Sequence, residues 1–126
     1  MKLYIIRGLP GSGKSTFGAK IADTCHAADD FFYKLGNGEY AFDPKRLRDA
    51  HDYCQLAVER DMIRGLTVAV ANTFSRRWEA EPYYELAEKY GYSVFVVECQ
   101  NQFGSVHNVP EETILAMARR WEPFVD

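Results

Sequence analysis

Two rhythms alternate along this chain: short unbroken apolar runs, and longer stretches where apolar residues recur every three or four positions. Lys2 to Arg7 carries Leu-Tyr-Ile-Ile and halts at Gly8, which predicts a strand buried on both faces. A helix is predicted from Lys14 to about Asp23, then a brief second strand over His26 to Ala28 that ends at the acidic pair Asp29-Asp30. Gly36-Asn37-Gly38 is turn chemistry, so Tyr33 to Phe42 is predicted as an exposed loop. Asp43-Pro44 then supplies an N-cap and a first-turn proline, and Leu47, Ala50, Cys54, Ala57, Val58 and Met62 follow at helical spacing up to Gly65. Leu66 to Ala71 predicts a third strand, Arg77 to Tyr90 a helix closed by Gly91, and Tyr92 to Glu98 a fourth strand. A last helix opens at Pro110-Glu111-Glu112, with carboxylates where the helix dipole favours them.

Strands that alternate with helices across short connections make parallel βαβ units. The fold class is therefore α/β, a parallel sheet with helices on both faces, and its ligand belongs at the C-terminal ends of the strands. Those ends are the loops after Arg7, Ala28, Ala71 and Glu98. No repeat, low-complexity tract or linker interrupts the chain, so residues 1–126 are expected to form a single domain.

Composition narrows the function classes. The 126 residues are 47% hydrophobic, and no apolar run reaches the length of a membrane span. MKLYIIRG is too short for a secretory signal, and a cytoplasmic protein is expected. Cys25, Cys54 and Cys99, like His26, His51 and His107, are scattered without disulfide or metal-ligand spacing. A formal charge of -3 argues against a protein that coats nucleic acid non-specifically, while leaving room for a local basic groove.

The chemistry is concentrated in Gly8-Leu9-Pro10-Gly11-Ser12-Gly13-Lys14-Ser15, which fits G-x-x-x-x-G-K-[ST] at every fixed position and lies between a predicted strand and a predicted helix. Glycines let such a loop turn its N–H groups inward, the helix N-terminus adds partial positive charge, the lysine neutralises β/γ oxygens and the Ser15 hydroxyl coordinates Mg²⁺. A nucleoside triphosphate, ATP or another NTP, is thus expected on Gly8 to Thr16, with Lys14 as the catalytic cation. Asp29 and Asp30, at the end of the second strand, supply a base toward an acceptor hydroxyl or a group holding Mg²⁺ through water. Phe31, Phe32, Tyr33, Tyr40 and Phe42 gather on the same side. They are read equally well as a base-stacking platform and as packing that folds the loop down.

With these residues in hand the chain resembles the small P-loop kinases of the AAA_33 type and, more distantly, the kinase half of phage polynucleotide 5′-kinases. The resemblance rests on Arg7 to Ser15, on Ala28-Asp29-Asp30-Phe31-Phe32, on Gly38 to Pro44, on Ala50-His51 with Cys54-Gln55, on Asn72-Thr73, on Trp78-Glu79 and on Pro82-Tyr83. It implies a four-stranded sheet of order 2-3-1-4 and assigns the general base to Asp29, which leaves Asp30 to the metal beside Ser15. Three departures accompany it. Ala71 stands where the family has an Asp before Asn-Thr. Gly104-Ser105, in a lid shortened to Cys99 to Val109 before His107-Asn108-Val109-Pro110, stand where an Arg-Asn pair is usual, and Phe32 replaces an acceptor-phosphate arginine. Arg76 and Arg77, just beyond the third strand, are the candidates to replace the lid arginine.

The expected function is transfer of the γ-phosphoryl group of ATP to a hydroxyl, with the 5′-hydroxyl of a nucleic acid end or a nucleotide-like molecule as acceptor. A nucleotide-binding regulator that has lost efficient transfer, and a small-metabolite kinase, are the alternatives.

Overall fold

The structure is a computed structural model that describes residues 1–100 and 109–124. Its centre is a parallel sheet of four strands in the order β2-β3-β1-β4, as the resemblance implied. The strands are β1 (Lys2–Gly8), β2 (Thr24–His26), β3 (Val68–Asn72) and β4 (Ser93–Cys99), and the helices are α1 (Lys14–Ile21), α2 (Asp29–Leu35), α3 (Leu47–Ile63), α4 (Glu81–Tyr90) and α5 (Glu111–Arg119). In the central pairing, Leu3, Ile5 and Arg7 lie opposite Val68, Val70 and Asn72.

Alternation along these strands sorts side chains onto two faces. Leu3, Ile5, Val68 and Val70 pack against Cys54, Val58 and Met62 of α3 and Tyr83 and Ala87 of α4. Ile6, Ala69 and Ala71 pack on the opposite face with Ile21 of α1. Each apolar side chain fully buried in this way contributes about 1.5–3 kcal/mol. All three cysteines are free thiols, and burial raises the pKa of both Cys25 and Cys54 to about 11.

Local chemistry moved several boundaries. The second strand ends at His26, two residues after it begins, and does not run through Ala28. Asp29 and Asp30 open α2 instead of ending β2, because two carboxylates in a first turn are favoured by the helix dipole. The segment predicted as exposed loop is therefore helical from Tyr33 to Leu35, as the end of a helix that buries Phe32. Asp43 does cap the next element, its carboxylate accepting from the Lys45 N–H at 3.0 Å. The element is a short 3₁₀ turn, Pro44–Arg46, before α3 begins. Likewise Arg77–Ala80 is 3₁₀, held by the Glu79 carboxylate, which accepts from Ser75 Oγ at 2.8 Å and the Arg76 N–H at 2.9 Å.

One charge is buried in the α3 face. Asp61 is 2% exposed, and His26 Nε2 meets its carboxylate at 2.5 Å, with Arg60 and Arg64 each 3.8 Å away. Burial alone would raise the Asp61 pKa, but the His26 hydrogen bond and the nearby positive charge outweigh it, so the pKa is lowered. A carboxylate depressed in the folded state stabilises above its unfolded pKa, and that contribution is lost as pH falls through the folded value. Asp61→Asn should cost about 1–3 kcal/mol at neutral pH, and the gap from wild type should close on acidification. Urea melts at neutral and acid pH check this; a gap that is independent of pH would refute it.

Candidate active site

The loop that follows β1 is pinned at its start by the Gly8 N–H, which donates to the Thr73 carbonyl at 3.3 Å across the top of the sheet. A Cβ on Gly8 would stand 2.7 Å from the Cys99 carbonyl oxygen and against Ser12 Oγ, so no larger residue fits between β4 and the loop. Gly11 and Gly13 take φ of 83° and 87°, the left-handed region that glycine enters without steric cost. Ser12 N–H closes the turn onto the Leu9 carbonyl at 3.1 Å.

Helix α1 begins directly at Lys14 with no side-chain cap and no acidic residue in its first turn. Its first amides and the positive end of its dipole are thus left without a side-chain cap or a first-turn carboxylate. Ser12 Oγ is buried without a hydrogen-bond partner among the described residues. Lys14 arches back over the loop, Nζ donating to the Leu9 carbonyl at 3.1 Å. Burial lowers the Lys14 pKa, while neighbouring Cys99 and Asp29 act in the opposite direction. Ser15 and Thr16 are exposed on the first turn. The arrangement is a glycine-turned loop and an uncapped helix start around one lysine, which fits a multiply charged phosphate group.

Asp29 stands at the start of α2, and its charge reaches Lys14. Its Oδ1 accepts from the Tyr40 hydroxyl at 2.9 Å, and burial together with this bond raises the tyrosine pKa far above its usual range. The turn that launches α2 is bolted to β3, because Asn72 Oδ1 accepts from the Ala28 N–H at 2.8 Å. Asp30 is used differently. Its Oδ2 accepts from the Ala27 N–H at 3.0 Å, within its own turn.

Arg76 and Arg77 lie elsewhere in the local geometry. The Arg76 guanidinium is 3.6 Å from Glu122 Oε2, and the Arg77 N–H donates to Glu122 Oε1 at 3.2 Å. It is Thr73 of the preceding segment that touches the phosphate loop. The chain after α5 straps this region down, with Glu122 N–H on the Ser75 carbonyl at 2.7 Å. Beneath it Arg7, 1% exposed, donates to the Phe74 and Glu122 carbonyls at 2.7 and 2.6 Å. Its guanidinium also sits 4.0 Å from the Trp121 ring and 3.7 Å from the Phe124 ring. Arginine on aromatic faces in a desolvated setting contributes about 2 kcal/mol, so Arg7 holds the root of the loop to the C-terminal strap.

The sequence shows Arg7 and Asn72 as parts of matching segments with no assigned work, and Tyr40 as one of the clustered aromatics, without its bond to Asp29. Arg7 carried a signal, a lone charge inside an otherwise apolar strand. Asn72 and Tyr40 did not, since their partners lie 44 and 11 residues away.

The Mg²⁺ expectation meets a defined donor set. Among the described residues no three His, Cys, Asp or Glu side chains gather to hold a metal. Ala71, where a carboxylate would stand, is 2% exposed beside Ile6. Mg²⁺ is commonly held by one or two protein groups, phosphate oxygens and water. The exposed Ser15 hydroxyl next to an uncapped helix start fits that pattern. Gly104, Ser105, His107 and Asn108 of the lid segment lie outside the described residues.

A parallel 2-3-1-4 sheet whose inner strand feeds a Gly-rich loop and a Lys-Ser helix start is a P-loop kinase-like fold. Comparison with known proteins agrees: the AAA_33 family, described as an AAA domain, matches residues 3–124, and the chain belongs to it. It is 30% identical to human NEDD4-binding protein 2 over 138 aligned positions, covering 98% of this chain and 8% of that protein. It is 35% identical to the 2′,3′-cyclic-nucleotide 3′-phosphodiesterase of Pongo abelii, covering 76% of this chain and 23% of that protein. The chain therefore spans less than a quarter of the length of either relative. Among solved structures it resembles a chain of the Pnkp1/Rnl/Hen1 complex, with a TM-score of 0.62 at 20% identity, covering 99% of this chain and 40% of that one. It also resembles the Mycobacterium tuberculosis APS kinase CysC in complex with AMPPNP and APS, with a TM-score of 0.58 at 17% identity, covering 94% and 67%. No helix among the described residues is long and apolar enough to cross a membrane.

Proposed function

We propose that this domain is an ATP-dependent phosphotransferase that moves a γ-phosphoryl group to a hydroxyl, with Mg²⁺ as the ion and the cytoplasm as the compartment. The observation that carries the reading is the placement of Asp29, whose charge reaches the loop lysine and whose carboxylate is held by Tyr40. A base toward an acceptor hydroxyl must lie near the phosphate being transferred, and Lys14 marks where that phosphate would be held. The loop amides and Lys14 would hold the triphosphate, and Ser15, with Asp30 through water, would hold the ion, which spreads the charge of the phosphates. The acceptor oxygen bonds to the γ-phosphorus, the bond from that phosphorus to the bridging oxygen breaks, ADP leaves, and the acceptor proton passes to Asp29. The kinase-like neighbours support the class, and the acceptor proposed is the 5′-hydroxyl of a nucleic acid end or of a nucleotide-like molecule.

Incubation with labelled Mg·ATP and a panel of 5′-hydroxyl DNA, RNA, nucleosides and small alcohols tests it. Label transferred to an acceptor is the expected result; binding of Mg·ATP without transfer to any member would defeat it.

A second reading, a nucleotide-binding regulator with little transfer, is favoured by the buried Ala71 and by the engagement of Arg76 with Glu122. On the enzymatic reading, the Arg76 guanidinium must leave Glu122, or the Arg77 side chain must turn to the phosphates, to neutralise charge that develops in transfer, a contribution of about 10³–10⁵ in rate where an arginine supplies it. Arg76→Ala or Arg77→Ala should then lower kcat more than it weakens Mg·ATP. Turnover in the ordinary kinase range that survives both substitutions would assign that charge to another group.

A further inference from the structure

The acceptor side of the site is a wall of aromatic rings. The backbone of residues 36–41 folds back over α2, with Gly38 N–H on the Tyr33 carbonyl at 2.8 Å and Ala41 N–H on the Phe32 carbonyl at 3.1 Å. This return places Tyr40 and Phe42 edge-on to the buried Phe32, with centroids 6.0 and 5.1 Å from it. Tyr40 lies 5.3 Å from Tyr33 and nearly parallel to Phe42, at an interplanar angle of 12°. Phe32 is 1% exposed and is core, whereas Phe42 is 51% and Tyr33 37% exposed. Core packing accounts for the first ring and not for the other two. The same Tyr40 donates to Asp29, so the exposed rings are continuous with the residue that holds the proposed base.

We infer that this wall is the acceptor subsite, that Phe42 and Tyr33 stack on the nucleobase carrying the accepting hydroxyl, and that Tyr40 is the positioning residue of Asp29. The inference deepens the phosphotransferase reading and rests on it for the role of Asp29. An acceptor rich in hydroxyls and lacking a ring system would call for hydrogen-bonding side chains around the base. Here the neighbours are π faces, which select planar groups and tolerate any base. The rings are fixed by the Phe32 edge contacts and the backbone bonds of the return loop, so little conformational freedom is lost on stacking. Charge at the rim is mixed. Arg46 lies over Phe31 at 4.9 Å and Lys34 over Tyr53 at 5.2 Å, but Arg46 is also bonded to Asp49 at 3.0 Å, and Glu39 and Asp43 share the segment. The subsite is accordingly that of one terminal nucleotide, and a long phosphate track is not expected to add to it.

The test compares a short 5′-hydroxyl oligodeoxynucleotide with the same strand bearing an abasic 5′-terminal nucleotide. Binding is measured by fluorescence anisotropy with Mg²⁺ and AMPPNP, and transfer with Mg·ATP. Wild type should favour the intact strand by roughly 5- to 100-fold, the span that base–aromatic stacking supplies. Phe42→Ala should erase that preference and raise the acceptor KM by the same factor with kcat held, and Phe42→Tyr should restore both. Tyr40→Phe should lower kcat while the acceptor KM stays, which a merely structural ring would not do. Circular dichroism and Mg·ATP affinity on each variant exclude loss of fold, and the Phe42→Tyr rescue keeps the outcome readable if Phe42→Ala is unstable. Equal binding of intact and abasic strands, or a preference that persists in Phe42→Ala, overturns the inference. Base-dependent binding without any transfer upholds the subsite and defeats the phosphotransferase reading. Transfer to ringless alcohols at a kcat/KM indifferent to Phe42 does the reverse.

Discussion

Lys14→Ala should abolish productive triphosphate binding, lowering Mg·ATP affinity by at least about 100-fold and removing measurable turnover; hydrogen bonds to charged groups contribute ~1.5–3 kcal/mol each. The reason lies in the geometry of the loop. Its glycine turns and the uncapped start of α1 present backbone donors and partial charge, but Lys14 is the full positive charge that the motif places within reach of the β/γ-phosphates. It is also ready to move, since it donates to the Leu9 carbonyl of the same loop at 3.1 Å. Breaking that bond leaves no buried carboxylate without its cation, so thermal stability should change little while binding collapses. Lys14→Arg keeps the charge but replaces a compact ammonium with a planar fork, and should recover affinity only in part. Calorimetry of Mg·ATP with both variants checks this. Unchanged affinity in Lys14→Ala, with unchanged turnover, would overturn the assignment of the loop as the triphosphate site.

The features legible in the sequence were those whose cause is local. Glycine and lysine spacing in residues 8–15, the apolar run from Lys2 to Arg7 that marks β1, and the Asp43 cap all act over a few residues. The strand order came through the family resemblance, because periodicity does not say which strands are neighbours. What escaped was decided at long range or by competition. Asp29 and Asp30 read as the end of a strand because the second strand is three residues long, and two carboxylates serve a turn and a helix start equally well. Tyr33 to Phe42 read as loop because the turn Gly36-Asn37-Gly38 divides the aromatics, yet that turn is what folds Tyr40 and Phe42 back onto Phe32. Arg76 looked available because Glu122, which faces its guanidinium at 3.6 Å, is far along the chain and invisible to any local window.

Asp29→Asn should keep Mg·ATP binding and lower transfer by about 10²–10⁴, the usual worth of a positioned general base. The substitution is nearly isosteric, and an amide oxygen can still accept from Tyr40, so the wall of rings and the start of α2 should stay in place. What disappears is the capacity to take a proton. Affinity for Mg·ATP should hold or tighten slightly, because Asp29 is a negative charge whose field reaches Lys14 and the incoming phosphates are negative as well. Asp30→Asn should matter less for transfer. Its carboxylate is engaged by the Ala27 N–H at 3.0 Å, a bond that an asparagine side chain also makes, and its remaining task is to meet the ion through water. Single-turnover rates with saturating Mg·ATP separate the two, since they exclude acceptor release and report the transfer step. A larger loss in Asp30→Asn than in Asp29→Asn would reverse the roles within the pair. It would also move the reacting hydroxyl from the Tyr40 side of α2 to the Ala27 turn.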